Sequence, residues 1–333
     1  MWLKGNLHTH THHADGDASP EQVVAWYAAH GYDFLAITEH NQLISAPHDA
    51  LLLIPATELT LTAEDKPVHL NVFGIRAMPA LPPRASLVAT MQNAVNAARA
   101  VGGEPMINHP NYQWAFGAAE LLQINDWALL EIFNASTNCN NFGCGGHVSH
   151  EAMWDELLSA GRRVFGVATD DAHDFNTERW GHVSPPGLAW VCVRASERTV
   201  AAVMVALQRG DFYSSTAVEL DDISWRDNTL SLQIRQQHSY AYTTHFIGSG
   251  GHVLAEAHGL APVYHTRGDE GYVRAKVYSS NGGWAWTQAV VGQSDSRIVG
   301  RSGSRSDQQP TDQLTKRPSD QATIPPSTTF MLK

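Results

Sequence analysis

The chain has 333 residues, of which 43% are hydrophobic and 17% are charged, and its formal net charge is −11. This composition predicts a folded body with a substantial core, and the length suits one barrel with a small added module. The negative charge argues against a surface that wraps nucleic acid. We find no apolar run long enough to span a membrane and no secretory pattern at the amino end, so we expect a cytoplasmic protein without a membrane partner.

In chain order, apolar runs typical of strands alternate with helical patterns over residues 1–217. The predicted strands are 2–7, 34–38, 51–56, 69–75, 104–108, 129–134, 164–169 and 188–193, and the predicted helices are 19–30, 86–101, 147–160 and 196–209. Alternation at this spacing predicts βαβ units and a parallel sheet, hence an α/β fold. About seven strands in this length favour a closed or nearly closed barrel over an open sheet.

Two further zones follow the predicted barrel. Residues 218–291 lose the helical period and show short alternating runs broken by Gly and Asn, which predicts a small antiparallel β-module. Residues 292–333 are rich in Ser, Gln, Thr, Pro and Asp and have no apolar period, which predicts a disordered low-complexity tail.

Metal-binding side chains occur near the predicted strand ends. The histidine content is high, 18 residues, and histidine is the commonest metal ligand. The candidate ligands at these positions are His8, His10, Asp15, His40, Glu58, His69, His109, Asp171 and His173. Residues i and i+2 of a strand point to the same side, so His8 and His10 can hold one ion. The carboxyl ends of barrel strands are where active sites are built, so we predict one shared metal site.

The number and type of these ligands limit the metal chemistry. A single tetrahedral zinc needs three or four ligands, whereas nine suit two or three divalent ions that share a bridging carboxylate. Nitrogen and oxygen ligands without thiolate favour Zn, Mn or Fe(II) over an iron–sulfur cluster. We therefore predict a multinuclear metal site. There is no G-x-S-x-G motif for a serine hydrolase and no Walker loop.

Taken together, the motifs resemble the PHP family, the polymerase and histidinol phosphatase metallohydrolases. The motifs that carry the resemblance are His8-Thr9-His10, Asp15-Gly16, Ile37-Thr38-Glu39-His40-Asn41, Glu58, Asn108-His109-Pro110 and Asp171-Ala172-His173. The resemblance implies a distorted (βα)7 barrel with two or three metal ions. It also implies that His8, His10, Glu58 and Asp171 hold the first ion, that Glu58, His69 and His109 hold the second, and that Asp15, His40 and His173 hold the third.

The same resemblance implies hydrolysis of a small phosphate ester, a phosphomonoester or nucleotide-type substrate, by a hydroxide that bridges the metals. We predict His40, Asp171 and His173 as catalytic residues. For substrate binding we predict Arg179 and His182, which lie in the loop after His173, and Asn41 at a strand end. Asp170 competes with Asp171 as a ligand, but the two-residue step to His173 favours Asp171.

Two other functions stay open on the sequence alone. A metal-activated hydroxide also attacks carbonyl carbon, so the same site suits a carbamate, amide or ester hydrolase. A non-catalytic domain that uses metal only for stability is the remaining alternative, although such domains usually lose ligands and none of the nine is missing here.

Overall fold

The computed structural model describes residues 1–46, 48–83, 85–176 and 183–290. The predicted tail, 292–333, and the predicted substrate contacts Arg179 and His182 lie outside the described residues. Within those residues, no helix has both the length and the apolar character needed to cross a bilayer.

The helices begin and end close to the predicted bounds because their caps are encoded locally. At α1, the side chain of Ser19 accepts a hydrogen bond from the backbone of Gln22, and Pro20 occupies the first turn, where its missing N–H costs nothing. After the last helix, Gly210 has a left-handed backbone conformation and ends that helix. The helices are α1 Pro20–Ala29, α2 Leu87–Ala100, α3 Ala118–Leu121, α4 His150–Ser159 and α5 Val200–Arg209.

The first eight strands all coincide with predicted strands. They are β1 Trp2–Asn6, β2 Phe34–Ile37, β3 Leu52–Ala63, β4 Lys66–Phe73, β5 Glu104–Ile107, β6 Leu129–Asn134, β7 Phe165–Thr169 and β8 Trp190–Arg194. Strands β1, β2 and β3 pair in parallel, as do β5, β6 and β7.

The expectation of a parallel sheet is wrong at two strands. Strand β8 pairs antiparallel with β1, and β4 pairs antiparallel with both β3 and β5. Only Glu64 and Asp65 separate β3 from β4, and both have positive φ values, 52° and 59°. Two consecutive left-handed residues form a tight hairpin turn, and a hairpin makes its two strands antiparallel. The hairpin also extends β3 and β4 beyond their predicted lengths.

The predicted (βα)7 barrel is not confirmed, because the sheet is not closed. The strands form one 13-stranded sheet. Its first five strands are β13 His252–His258, β12 Tyr242–Gly248, β15 Arg274–Ser279, β16 Trp284–Thr287 and β9 Phe212–Ser215. The order then continues β8-β1-β2-β3-β4-β5-β6-β7. Strand β7 is therefore at the edge of the sheet. Two isolated hydrogen bonds nevertheless connect β7 to β9 and the residues after β7 to the residues after β1. His10 N donates to Ala172 O at 2.9 Å, and Ala168 N donates to Ser214 Oγ at 3.0 Å.

The β-rich segment divides between two sheets. Strands β10 Leu220–Arg226, β11 Thr229–Ile234 and β14 Val263–His265 form a separate three-stranded antiparallel sheet. The large sheet continues with β12 Tyr242–Gly248, β13 His252–His258, β15 Arg274–Ser279 and β16 Trp284–Thr287. The fold is therefore mixed α/β, with one large sheet and one small antiparallel sheet. The domain boundary at residue 217 stays a prediction.

Candidate metal centre

The candidate ligands come from strand ends and from the β3–β4 hairpin. His8 and His10 follow β1, and Thr9 between them bridges to Ala172, just beyond β7. This bridge brings the segment of His8 and His10 beside that of Asp171 and His173. Glu58 lies inside β3 rather than after it. His69 lies on the neighbouring strand β4. It is opposite Thr60, which is two residues after Glu58 on β3.

The first ligand group consists of His8, His10, Glu58 and Asp171, all of which are buried. The Nε2 atoms of His8 and His10 lie 3.1 and 3.2 Å from Asp171 Oδ1. The same two atoms lie 3.6 and 3.5 Å from the oxygens of Glu58. Two ligands of a tetrahedral ion bound at 2.0–2.2 Å are separated by about 3.4 Å, so these distances suit one ion.

The second ligand group shares Glu58 with the first. Glu58 Oε1 lies 3.1 Å from His69 Nδ1 and 3.6 Å from His109 Nε2. Because its other oxygen lies beside His10, the Glu58 carboxylate has the placement of a bridging ligand between two ions. Asn108 Nδ2 donates to Glu58 Oε1 at 2.8 Å and holds this carboxylate in place.

The third ligand group consists of Asp15, His40 and His173. Asp15 is the most exposed of the nine, with 57% of its side chain accessible. Its two oxygens lie 3.5 Å from His40 Nε2 and 3.3 Å from His173 Nε2. His10 Nδ1 also approaches Asp15, at 3.9 Å. Eight of the nine predicted ligands thus lie in overlapping groups that meet at His10 and Glu58, and Asp171 lies beside His8 and His10.

The residues present fit divalent ions, because several buried ligand atoms lack any hydrogen bond. These atoms are His8 Nε2, both ring nitrogens of His10, Glu58 Oε2 and Asp171 Oδ1. An unsatisfied buried polar atom costs about 1–3 kcal/mol, and such atoms are rare in folded proteins. A cation among His8 Nε2, His10 Nε2, Glu58 Oε2 and Asp171 Oδ1 would satisfy four of these five atoms, and imidazole with carboxylate is the donor set expected for Zn, Mn or Fe(II).

The ligands are electrostatically coupled to one another. Burial lowers the pKa of His40, but its bonds to Asp15 and Glu58 raise the pKa to about 10. His173 behaves in the same way: burial opposes its charge, yet Asp15 and Asp171 raise its pKa to about 9. His10 is the exception, because burial and the nearby His173 lower its pKa to about 4. Clustered, strongly perturbed groups of this kind are typical of functional sites.

Three residues at this site have backbone conformations that side chains rarely adopt. Asn41, His109 and Asp171 have positive φ values of 54°, 20° and 49°. Such residues cost about 1–3 kcal/mol each and persist where surrounding contacts hold them. The backbone N–H of His109 donates to the buried carboxylate of Glu131 at 2.7 Å.

Asn41, predicted as a substrate contact, is engaged with the protein backbone. Its Nδ2 donates to Thr60 O at 3.0 Å, and its Oδ1 accepts from Thr60 N at 3.1 Å. This pair of bonds ties the turn after β2 to β3 and holds His40 beside Glu58. A substrate contact by Asn41 stays a prediction, as do the contacts of Arg179 and His182.

Of the two adjacent aspartates after β7, Asp171 faces the ligands and Asp170 does not. Asp170 accepts hydrogen bonds from the backbone N–H groups of residues 187–189, each at 2.8 Å, and from the hydroxyl of Tyr27. Asp170 therefore anchors the segment that leads into β8. Burial raises its pKa to about 6 despite these bonds.

Sequence reasoning missed one acidic residue, Glu131, in the middle of β6. Its carboxylate accepts from His8 Nδ1 at 2.8 Å, and it lies near His8 and His109 in a further candidate ligand group. A signal was available, because Glu131 is the only charged residue of the strand sequence LLEIFN, which is otherwise mostly apolar. A lone carboxylate in a buried strand requires partners.

A cavity of about 240 Å³ opens onto the ligands. Besides seven of the nine ligands, the described residues that line it are Tyr112, Ser136, Asn138, Cys139 and Asp174. The cavity has room for a small substrate, and its additional lining offers hydroxyl, amide, thiol and carboxylate groups.

No protein-family model matches the sequence, and no curated protein matches it. Three solved structures share similarity with the chain. A two-domain protein from Bacteroides vulgatus, described as containing a predicted PHP-like metal-dependent phosphoesterase, is 15% identical, with a TM-score of 0.49, over 87% of this chain and 95% of that one.

The two other structures are less similar. A protein from Bifidobacterium adolescentis named as a candidate metal-dependent phosphoesterase is 14% identical, with a TM-score of 0.37, over 62% of this chain and 96% of that one. An amidohydrolase from Chromobacterium violaceum, with bound sulfate and no metal, is 13% identical, with a TM-score of 0.37, over 55% of this chain and 92% of that one. At these identities the similarities carry no information about the substrate. The residues of the site itself therefore have to indicate the function.

Proposed function

We propose that the protein is a metal-dependent hydrolase of the PHP type that cleaves a small phosphate ester, with two or three divalent ions held by the three ligand groups. The observation that carries the proposal is that five histidines, His8, His10, His40, His69 and His109, lie within 3.6 Å of the shared Glu58 carboxylate, with buried ligand atoms that make no hydrogen bond. The sequence motifs of the PHP family fall on these same residues.

Each part of the site has a distinct role in this proposal. When bound, divalent ions lower the pKa of a coordinated water and neutralise the charge on phosphoryl oxygens. Glu58 and Asp171 would supply the carboxylate ligands beside the imidazoles, and burial of the first ligand group excludes bulk water. The third ligand group is the most exposed, so His40 and His173 lie where a substrate enters and where a leaving group would need a proton.

One observation favours keeping a second candidate, the hydrolysis of a carbamate, amide or ester. Among the described residues that line the cavity there is no arginine or lysine. Cations commonly accompany metals where a phosphate must be held, whereas a neutral carbonyl substrate does not need one. Arg179, which would supply such a charge, lies outside the described residues.

The test combines metal analysis with a substrate panel. Protein purified without chelators is assayed for metal content and for hydrolysis of nucleoside monophosphates, bisphosphates, histidinol phosphate, an aryl phosphodiester and an aryl carbamate. Glu58→Ala removes the shared ligand. Glu256→Ala, on the exposed face of β13, is a matched control that removes a carboxylate far from the ligands in the chain.

We expect phosphate release by the unmodified protein and by the control, and its loss in Glu58→Ala. Activity on the aryl carbamate alone would select the second candidate. A metal content near zero, even after incubation with Zn²⁺ or Mn²⁺, would overturn both enzyme functions.

A further inference from the structure

Glu131 has its hydrogen-bonding capacity saturated by four donors. One oxygen, Oε1, accepts from His8 Nδ1 at 2.8 Å and from the hydroxyl of Thr169. The other, Oε2, accepts from the backbone N–H of His109 at 2.7 Å and from Asn134 Nδ2 at 3.0 Å. The residue is completely buried. A protonated carboxyl group would give one of these four acceptor positions to its own proton, so accepting all four hydrogen bonds requires Glu131 in its charged form.

The bond to His8 determines which ring nitrogen of that histidine is free. Because Glu131 only accepts, the proton of the neutral imidazole is on Nδ1, and the lone pair is on Nε2. That Nε2 atom is buried, makes no hydrogen bond and lies 3.1 Å from Asp171 Oδ1. Carboxylates that orient a ligand imidazole in this way raise its affinity for metal.

Glu131 reaches a second ligand through Asn134. The amide nitrogen of Asn134 donates both to Glu131 and to Asp171 Oδ2, each at 3.0 Å. Three predicted ligands on three strand ends, His8, His109 and Asp171, are thus connected to one carboxylate. Its described hydrogen bonds include none to Asp15, His40 or His173.

We propose that Glu131 is a positioning residue that acts on the first ion and not on the third: it sets the tautomer of His8 and the orientation of Asp171, and the ion held by Asp15, His40 and His173 does not depend on it. This inference depends on the proposed metal site. It goes beyond that proposal because it states which ion requires Glu131 and which does not, although Glu131 is not one of the nine predicted ligands.

Glutamine has the same size as glutamate but cannot replace it here. If the amide oxygen of Glu131→Gln faces His8 and Thr169, the amide nitrogen meets the N–H donors of His109 and Asn134. If the amide is reversed, its N–H donates to His8 Nδ1 and forces the proton onto Nε2, which then cannot bind metal. Either orientation disturbs the first ligand group.

The experiment is a titration of the metal-free full-length protein with Co²⁺, followed by ligand-field absorption and by elemental analysis after gel filtration. Replacing a residue that orients a metal ligand typically weakens metal binding about 10- to 100-fold, so we expect that loss at the first ion position in Glu131→Gln and unchanged binding at the third. The matched control is Glu104→Gln. Glu104 is also a buried carboxylate, but it opens β5, at the end opposite His109, and pairs with Arg99 at 2.6 and 2.8 Å. We expect this control to retain full metal binding.

A second variant keeps the test decisive if Glu131→Gln does not fold. Thr169→Val removes one of the four donors with little change of shape, and we expect about 10-fold weaker binding at the same position. Unchanged affinity and stoichiometry in a folded Glu131→Gln protein, or in Thr169→Val where Glu131→Gln is unfolded, would overturn the inference. Equal weakening at every ion position would overturn its selectivity. If the unmodified protein binds no Co²⁺, Zn²⁺ or Mn²⁺, the proposed function itself fails.

Discussion

Arg274 offers a quantitative test of how the β-rich segment is attached to the rest of the protein. This arginine lies on β15 and is almost completely buried. Its Nε and Nη2 atoms bind the two oxygens of Asp155 on α4 at 2.8 and 2.6 Å, and Nη2 also lies 2.9 Å from Glu151 Oε1. One buried cation therefore joins a helix of the first 217 residues to a strand that follows them.

The perturbation is Arg274→Met, which keeps much of the side-chain volume and removes the charge. Asp155 and Glu151 are then left as neighbouring carboxylates, with Lys276 as a partner for Glu151 only. Removing one member of a buried ion pair costs about 3–5 kcal/mol, because the remaining charge is uncompensated. In a chain of this size 1 kcal/mol corresponds to about 2–4 °C, so we expect the melting temperature to fall by roughly 6–20 °C.

The assay is thermal and urea denaturation followed by circular dichroism and tryptophan fluorescence. Arg235→Met is the matched control, because Arg235 forms an ion pair with Glu219 and Asp221 on an exposed surface. An exposed pair contributes about 0–1 kcal/mol, so this variant should melt near the unmodified protein. If Arg274→Met is no less stable than Arg235→Met, the buried pair does not hold the two segments together and the reasoning is refuted.

Three further predictions concern the metal site and pH. Glu58→Ala should lower the bound metal by at least one ion per chain by elemental analysis, since Glu58 is shared by two ligand groups; unchanged content would contradict its bridging role. Ion affinity should rise with pH between 6 and 8, because the raised pKa values of His40 and His173 mean that protons must leave when metal binds. Calorimetry in two buffers measures that release, and a pH-independent affinity would argue against these ligands. Burial opposes the charge of Glu151, but Arg274 and Lys276 lower its pKa, so its stabilising contribution is present above about pH 4.3 and is lost as the pH falls through the folded pKa. Glu151→Gln should therefore flatten the acid side of the pH–stability curve measured by urea denaturation. An unchanged slope would show that the ion pairs of Glu151 with Arg274 and Lys276 contribute nothing to stability.

Local sequence patterns were sufficient for the approximate positions of the first eight strands and for the choice of the nine predicted ligands. Apolar runs and helix caps such as Ser19 are local signals, so most strand and helix bounds could be predicted within a few residues, whereas β3 runs seven residues beyond its predicted end. Because most of the predicted ligands lie just after strands, their positions follow from those of the strands. The separation of Asp171 from Asp170 by its two-residue step to His173 agrees with the side chains' positions in the structure.

Other features depended on contacts between distant residues. The short Glu64–Asp65 turn reverses β4, but whether a sheet closes depends on pairing between its first and last strands, which no local pattern encodes. Glu131 could be recognised as a buried charge, yet its partner His8 is 123 residues away in the chain and comes beside it only in the folded sheet. The sequence by itself determined which groups can bind metal. The tertiary structure decided which atoms face one another, because orientation, tautomer and sharing of a carboxylate arise from packing across strands that are far apart in the chain.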